Sequence, residues 1–167
     1  ICNQCQHIQL SHEVDPKILF SNYTYKSGLS RTFREHFNSL AELLVNKINN
    51  NGEQVNVLDI GCNDGYLLDC FRELGLKTFG VEPAKNLING ISSNHIIYNE
   101  FFDKNSSLVL DSKSRFNIIT ANNVFAHTRN LADFAIGVSE VLAPEGIFVF
   151  EVQYLVDIPK EKNLFEG

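Results

Sequence analysis

The chain has 167 residues, of which 44% are hydrophobic and 20% are charged, and its formal net charge at pH 7 is −6. This length and apolar content favour one domain with one substantial core, and the acidic balance without any Lys/Arg run argues against a nucleic-acid partner or an anionic membrane surface. The apolar runs are too short to span a bilayer, so we expect a soluble, cytoplasmic protein whose partner is a small molecule.

Residues 1–29 have no regular hydrophobic spacing and are predicted to form an irregular leader. They open with a Cys-x-x-Cys pair, Cys2 and Cys5, and the whole sequence contains no Met. A start of this kind indicates a fragment of a longer protein. The four cysteines are scattered and do not match a secreted disulfide framework, so reduced thiols are expected.

A single amphipathic helix is predicted next. Ser30 is a suitable N-cap, and apolar residues then recur every three or four positions. These residues are Phe33, Phe37, Leu40, Leu44 and Ile48. The helix should bury one face, and a polar break follows it at 49–52.

From residue 55 onward, strand-like runs alternate with helix-like runs. The predicted strands cover residues 55–60, 77–81, 95–98, 116–121 and 147–152. The predicted helices cover residues 66–74, 84–91, 104–110 and 131–142, and a turn at 144–146 precedes the last strand. This alternation predicts an α/β fold, a Rossmann-like, doubly wound parallel sheet with helices on both faces.

The turn after the first of these strands contains two glycines four residues apart, Gly61 and Gly65. Glycine lets the backbone pass close to a ligand, and in an open parallel sheet ligands bind at the carboxyl ends of the strands. Asn63 replaces the middle glycine of the dinucleotide fingerprint, so the turn is less suited to binding a pyrophosphate. The carboxylates of Asp59 and Asp64 favour a ligand that carries an ammonium or a sulfonium group.

The second strand is followed by Glu82 and Pro83, at a spacing from Gly61 that suits a nucleoside ligand. A carboxylate at this place can accept both hydroxyls of a ribose. A nucleoside part and an amino-acid part are then both accounted for, which points to S-adenosylmethionine. The alternative is that Gly61 belongs to an ordinary strand-to-helix turn and that Glu82 only ends a strand.

Four more candidate cofactor-binding residues follow the fourth strand, namely Asn122, Asn123, Val124 and His127. Adjacent asparagines at the ligand edge can offer amide and backbone groups to an adenine or to the methionine amine, and Phe125 can supply an apolar face. The alternative is that the asparagines are turn formers and that His127 is structural.

Several sequence words, in order along nearly the whole chain, resemble the sugar C-methyltransferases of deoxysugar biosynthesis. They are VLDIGCNDGYLLDCF, FGVEPAKN, FFD, ANNVFAH and LAPEGIFVFEVQYLVDI, with CNQCQHIQLSHEVDP and YTYKSGLSRTFREHF in the first part of the chain. The resemblance implies an S-adenosylmethionine cofactor and a nucleotide-linked 4-keto deoxysugar as the substrate. It also implies three parts, namely a small zinc-binding domain, a central cofactor domain and a C-terminal domain that helps to hold the sugar.

On this resemblance, residues 1–29 are the remnant of the zinc-binding domain and residues 30–167 form the methyltransferase domain, with the protein truncated at both ends. The family's zinc site is built from four cysteines, and Cys2 and Cys5 supply only two of them. Zinc is therefore expected in the full-length protein only.

Tyr23 and Tyr25 resemble tyrosines that, in this family, close over cofactor and substrate, and they are the candidate catalytic residues. The chemistry needs a base that removes the proton next to the ketone before carbon attacks the sulfonium methyl. The resemblance implies that this base lies beyond Gly167.

Two other functions stay open. One is an S-adenosylmethionine-dependent transferase that acts on oxygen or nitrogen of another small molecule. The other is a dinucleotide-binding oxidoreductase, or a binding module that has kept the pocket without the chemistry. In each case we expect a monomer with a small-molecule partner.

Overall fold

A computed structural model describes residues 3–5, 12, 14–48, 52–108, 110 and 115–153. The helices are α1 (Pro16–Phe20), α2 (Arg31–Lys47), α3 (Tyr66–Glu73), α4 (Lys85–Ile88) and α5 (Leu131–Val141). The strands are β1 (Asn56–Ile60), β2 (Lys77–Val81), β3 (Ile96–Tyr98), β4 (Phe116–Asn122) and β5 (Leu142–Glu151). Short 3-10 turns lie at Ser27–Leu29, Ser106–Leu108 and Phe125–His127.

The described strands form one sheet in the order β3-β2-β1-β4-β5, and each neighbouring pair runs parallel. After β3 the chain crosses to the other side of β1, so the strand order reverses between β1 and β4. In open parallel sheets, ligands bind outside the carboxyl ends of the strands at such a reversal. The predicted Rossmann-like, doubly wound α/β fold is confirmed.

Helices cover both faces of this sheet. On one face, α2 and α3 pack against residues such as Val57 and Ile118. On the other face, α5 packs against the intervening residues, such as Leu58 and Ile119. Successive residues of a strand point to opposite faces, so the two central strands supply apolar side chains to both layers.

The helix predicted after Ser30 is present as α2. Ser30 is its N-cap, and Ser30 Oγ accepts a hydrogen bond from the Phe33 N–H at 3.4 Å. The spacing of apolar residues correctly identified the face that packs against α3. The buried residues of this face are Phe37, Leu40, Ala41 and Leu44.

The helix predicted at 104–110 is only the 3-10 turn Ser106–Leu108 in the described part of this segment. The Asp103 carboxylate accepts the backbone N–H groups of Asn105 at 2.7 Å and Ser106 at 2.8 Å. A side chain that satisfies the backbone locally competes with a longer helix. The helical prediction was wrong here for that reason.

Two other boundaries differ from the predictions. The helix predicted at 84–91 ends at Ile88. β5 begins at Leu142, and residues 144–146, predicted as a turn, form a bulge within the strand, where the pairing with β4 shifts register. Glu145 has a φ of 60° there. The turn-forming residues therefore do not mark the start of β5; they produce an irregular stretch within it.

The leader contains one short helix that the sequence analysis did not predict. α1 starts at Pro16, and the Asp15 carboxylate caps it by accepting the Lys17 N–H at 3.0 Å. No residue of α1 is buried. The expectation of an irregular leader was wrong at α1. Within the described ranges, no helix has the length and apolar character needed to cross a membrane.

Candidate functional site

The residues predicted to bind the cofactor lie at the carboxyl ends of β1, β2 and β4 or in the turns that follow these strands. They are Asp59, Gly61, Asn63, Asp64, Gly65, Glu82, Pro83, Asn122, Asn123, Val124 and His127. The fold thus gathers them at the edge where the strand order reverses.

The turn between β1 and α3 reverses the chain through left-handed backbone. Gly61, Asn63 and Gly65 have φ angles of 71°, 53° and 80°. Glycine adopts this region without strain, and asparagine tolerates it better than most residues. The N–H groups of Gly61 and Cys62 both donate to the Val81 carbonyl, at 2.7 and 3.2 Å. The turn is therefore tied to the end of β2.

Gly61 also lies so close to the loop after β4 that a side chain does not fit. A Cβ built on Gly61 would lie 2.4 Å from Val124 Cγ2. A Cβ on Gly65 would lie 3.0 Å from Ile91 Cγ2, which is a milder conflict. The loops after β1 and β4 are thus in direct contact at Gly61.

Glu82 is buried just after β2, with 6% of its surface exposed. Its Oε2 accepts the Asn63 N–H and its Oε1 accepts the Ala84 N–H, both at 2.9 Å. Burial raises the pKa of this carboxyl, and the two hydrogen bonds act in the opposite direction. Each carboxylate oxygen has two lone pairs, so both retain the capacity to accept a ligand hydroxyl.

Asp59 is the second buried carboxyl group of the site, with 4% of its surface exposed. Its Oδ1 accepts the Thr120 hydroxyl at 2.7 Å. Burial raises the pKa of Asp59 to about 7; the hydrogen bond from Thr120 lowers it, and the nearby Glu82 adds to the rise. The negative charge that Asp59 offers to a cationic ligand therefore depends on pH near neutrality.

The side-chain amide of Asn122 is buried, and among the described residues neither its Nδ2 nor its Oδ1 has a hydrogen-bond partner; the same holds for Asp64 Oδ1. Buried polar groups in proteins are nearly always paired. An unpaired amide at the ligand edge of a parallel sheet therefore points to a bound partner with both a donor and an acceptor. The neighbouring Asn123 has a φ of 56° and donates its N–H to the Glu151 carbonyl at 2.9 Å.

His127 lies in the exposed 3-10 turn after β4 and contacts the leader. Its ring centroid is 5.8 Å from that of Phe20, and the Phe20 ring is 6.0 Å from that of Tyr23. Tyr25 packs in turn near Phe33 of α2, with 6.3 Å between ring centroids. The leader thus places both predicted tyrosines beside the candidate site.

Residues 23–28, here called the strap, are bound to the glycine turn by hydrogen bonds. Asn63 Nδ2 donates to the Tyr25 carbonyl, and Asn63 Oδ1 accepts the Ser27 N–H, both at 3.0 Å. Asp64 Oδ2 accepts the Gly28 N–H at 2.9 Å. Since these side chains are engaged with the strap, the direct cofactor contacts assigned to Asn63 and Asp64 remain predictions.

Several residues that shape the site were not identified from the sequence. A Cβ on Gly80 would lie 2.6 Å from Cys62 Sγ, so β2 needs glycine there; glycine inside a strand is a recognisable sign of close packing. The sequence contains no comparable sign that would identify Thr120, Asn86 or Asn99. Asn99 Nδ2 donates to the carbonyls of the two residues after β2, at 2.8 and 3.0 Å, which fixes the segment that carries Glu82.

The predicted metal ligands are only partly described. Cys2 lies outside the described residues, whereas Cys5 is an exposed free cysteine. Across the part of the chain that is described, no three His, Cys, Asp or Glu side chains are grouped in a way that could hold a metal ion. The zinc prediction for the full-length protein remains a prediction.

Comparison with known proteins gives a consistent result. A model of the methyltransferase domain family matches residues 25–166. C-methyltransferase NovU of Streptomyces niveus is 29% identical over 165 residues, which are 98% of this chain and 39% of the relative. Ubiquinone biosynthesis O-methyltransferase of Rhodopseudomonas palustris is 28% identical over 99 residues, which are 58% of this chain and 39% of the relative. The chain thus spans about two fifths of the length of these relatives.

Solved structures share the fold at lower identity. The PH0226 protein of Pyrococcus horikoshii matches with a TM-score of 0.63 and 19% identity, over 89% of this chain and 64% of that one. The plantazolicin methyltransferase BpumL, solved with SAH, matches with a TM-score of 0.59 and 16% identity, over 80% and 51% of the two chains. The chain belongs to the methyltransferase domain family, and its sheet has the Rossmann-like arrangement of class I S-adenosylmethionine-dependent methyltransferases.

Proposed function

We propose that this chain is the cofactor-binding part of a C-methyltransferase that acts on a nucleotide-linked 4-keto deoxysugar. The observation that carries the choice of carbon as acceptor is the similarity to C-methyltransferase NovU, which extends over 98% of the chain, leader included. The sugar substrate rests on the sequence words shared with sugar C-methyltransferases, such as FGVEPAKN and ANNVFAH.

The residues at the strand ends fit S-adenosylmethionine. Glu82 offers two braced carboxylate oxygens for the ribose hydroxyls. The amide of Asn122 supplies a donor and an acceptor that no described residue of the chain engages. The backbone at Gly61 carries no side chain that would hold a ligand away. When bound, S-adenosylmethionine supplies a methyl group that its sulfonium makes electrophilic.

The charges of the site suit this cofactor better than a dinucleotide. Asp59 and Glu82 are buried close enough for the charge of Glu82 to raise the pKa of Asp59. Two buried carboxyl groups that interact in this way favour binding of a positively charged ligand and disfavour binding of a pyrophosphate. Together with membership of the methyltransferase family, this favours a methyltransferase over the dinucleotide-binding oxidoreductase considered from the sequence.

The tasks of the chain's own residues in the reaction are binding, orientation and the exclusion of water. Tyr23 and Tyr25, carried by the strap, are the residues we assign to contact with cofactor and substrate. The hydrogen bond from Asn63 of the glycine turn to the Tyr25 carbonyl, and the contact of the Tyr23 ring with Phe20, support this assignment. The base that removes the proton next to the ketone remains assigned to residues after Gly167.

The proposal has further parts that follow from the sequence. The partner is a small nucleotide sugar and not a nucleic acid, which agrees with the net charge of −6. The enzyme is placed in the cytoplasm as a monomer, and its described cysteines are free thiols. Zinc is assigned to the full-length protein through Cys2 and Cys5.

A second candidate is methyl transfer to oxygen. Ubiquinone biosynthesis O-methyltransferases from several bacteria are 27–30% identical to this chain over 95–99 residues. That similarity is confined to 56–58% of the chain. It therefore supports the shared cofactor domain more than a shared acceptor.

Calorimetric titration of the full-length protein with S-adenosylhomocysteine, beside NADH, tests the cofactor. We expect binding of S-adenosylhomocysteine only, and binding of NADH alone would overturn the proposal. Incubation with methyl-labelled S-adenosylmethionine and a thymidine-diphosphate 4-keto deoxysugar then tests the acceptor. NMR of the product should show a new carbon–carbon bond; a methyl ether would favour the oxygen acceptor instead.

A further inference from the structure

Two asparagine side chains hold the strap, and both do so through the main chain of the strap. Asn86 of α4 accepts the Tyr23 N–H with Oδ1 at 3.0 Å and donates with Nδ2 to the Tyr23 carbonyl at 2.7 Å. Asn63 accepts the Ser27 N–H and donates to the Tyr25 carbonyl, both at 3.0 Å. Each side-chain amide thus donates one hydrogen bond to the main chain of the strap and accepts one from it, in the same way that the main chain of a paired β-strand does.

One carboxylate fixes the main chain next to both asparagines. Glu82 Oε2 accepts the N–H of Asn63 itself. Glu82 Oε1 accepts the N–H of Ala84, the N-cap of α4 and two residues before Asn86. Because the two oxygens belong to one rigid group, a change in the position of the carboxylate shifts both asparagines.

Of the two asparagines, Asn63 is connected more directly to Glu82. Its φ of 53° lets its N–H reach Glu82 while its side chain reaches the strap. The strap is therefore two hydrogen bonds away from the carboxylate to which ribose binding is assigned. The two bonds to the Asn63 main chain and Oδ1 are partly buried, whereas the bond from Asn63 Nδ2 to the strap is exposed.

We propose that Asn63 and Asn86 are positioning residues that couple cofactor binding at Glu82 to docking of the strap. This inference rests on the proposed function, since it takes the ligand of Glu82 to be the cofactor ribose. A ligand that fixes the carboxylate holds both asparagines in place, and docking of the strap in turn raises the affinity for the ligand by the same factor. The side chains of Tyr23 and Tyr25 take no part in the clamps and remain 37% and 46% exposed.

The strap contains its own reporter of docking. Lys26 is exposed in the middle of the strap, between the residues that the asparagines hold. Trypsin cleaves after Lys26 only when the strap leaves its docked position, because a protease needs several extended residues. We expect S-adenosylhomocysteine to slow this cleavage in the full-length wild-type protein, as followed by mass spectrometry of the Lys26–Ser27 bond.

Two variants remove the clamps with little change elsewhere. Asn63→Gly keeps the left-handed backbone without strain and loses only the amide, whereas Asn86→Ala truncates an exposed side chain of α4. Each should raise the Kd for S-adenosylhomocysteine about three- to tenfold, as expected for the loss of two hydrogen bonds in part replaced by water. Each should also abolish the effect of S-adenosylhomocysteine on cleavage at Lys26. Asn86→Asp, which keeps the acceptor, should give an intermediate effect.

Asn89→Ala is the matched control, since Asn89 is exposed at the end of the same helix. It should leave both readouts unchanged, and thermal unfolding of every variant checks that the fold is retained. If the wild type binds S-adenosylhomocysteine and the two clamp variants show wild-type affinity and wild-type protection of Lys26, the coupling is wrong and the proposed function stands. If the wild type does not bind S-adenosylhomocysteine, the proposed function fails and the coupling fails with it.

Discussion

Glu82 combines two roles in a single side chain, since it fixes the main chain on both sides of the ligand edge and offers oxygens to a ligand. Replacement by Gln keeps the size and one acceptor but loses the charge and one acceptor. Charge-assisted hydrogen bonds contribute about 1.5–3 kcal/mol each. We therefore expect Glu82→Gln to raise the Kd for S-adenosylhomocysteine at least about tenfold in calorimetric titration. Glu73→Gln, an exposed change on α3, is the control, and equal affinities in the two variants would remove Glu82 from the site.

Asp59 makes stability depend on pH. Its pKa is raised from 3.8 to about 7, so the folded state holds the proton more tightly than the unfolded state. The stabilisation is fully present below about pH 4 and is lost as the pH rises to about 7. Asp59→Asn keeps an acceptor for the Thr120 hydroxyl without a charge. This substitution should therefore raise the free energy of unfolding by about 2–3 kcal/mol more at pH 8 than it does at pH 5.

Urea unfolding of wild type and Asp59→Asn at the two pH values measures this difference. A variant of the exposed Asp15, also changed to Asn, is the control. Equal effects of Asp59→Asn at both pH values would mean that the carboxyl titrates in the ordinary range.

At the residue level, the sequence predicted the positions of the candidate residues better than their contacts. The position of Glu82 just after β2 could be predicted because its distance from the glycine turn follows from the length of one strand–helix–strand unit. The engagement of Asn63 with the strap could not, because the strap lies 36 and 38 residues away in the chain at the two bonded positions. The unpaired state of Asn122 depends on what surrounds it, which spacing in the sequence does not encode.

The glycine turn is the element on which the site depends most. Gly61→Ala combines a strained φ with a Cβ 2.4 Å from Val124 Cγ2. Gly75→Ala shares the positive φ, at 86°, but its Cβ would meet nothing within 4 Å. We expect Gly75→Ala to lower the free energy of unfolding by about 1–2 kcal/mol and Gly61→Ala to lower it by clearly more.

The collision can be separated from the strain by a second change. Val124→Ala removes the Cγ2 that the new Cβ would meet, so the double variant Gly61→Ala/Val124→Ala should recover part of the loss. Thermal or urea unfolding of the four proteins measures the interaction between the two positions. Strictly additive effects would show that Val124 is not what restricts Gly61.

Elements with a strong period were predicted well and short ones poorly. α2 has one buried face whose spacing is visible in the sequence, and the central strands β1 and β4 are nearly continuous buried runs. In the segment at 104–110 the apolar residues are confined to the last three positions, and Asp103 satisfies the backbone N–H groups at its start. Local hydrogen bonds of this kind compete with the hydrophobic pattern and are decided only in the folded chain.

For the whole molecule, the separation between leader and core is open to a direct test. Neither of the two clusters of buried apolar residues contains a residue of α1 or of the strap. A protein that lacks residues 1–29 should therefore keep its far-UV circular dichroism and a cooperative unfolding transition. It should nevertheless bind S-adenosylhomocysteine about tenfold more weakly, because the strap is missing. Undiminished affinity would show that the leader takes no part in the cofactor site.

At this scale, the α/β class and the doubly wound topology could be predicted because alternation of strand and helix leaves few other arrangements. The docking of the leader on the ligand edge could not be predicted. It depends on polar side chains, Asn63, Asp64 and Asn86, that meet main-chain atoms of a segment without any pattern of its own.

The way the strap is held has a consequence for how enzymes with this arrangement diversify. Asn63 and Asn86 bind peptide groups, which every amino acid except proline can supply in full, so the attachment places little restriction on the side chains of the segment. The rings of Tyr23 and Tyr25 pack near Phe20 and Phe33 but make none of these hydrogen bonds, so on the proposed function mutation at positions 23 and 25 can alter the acceptor molecule while the cofactor half stays intact. Exchange of this short peptide between homologues becomes a route to altered specificity, both in natural lineages and in the laboratory.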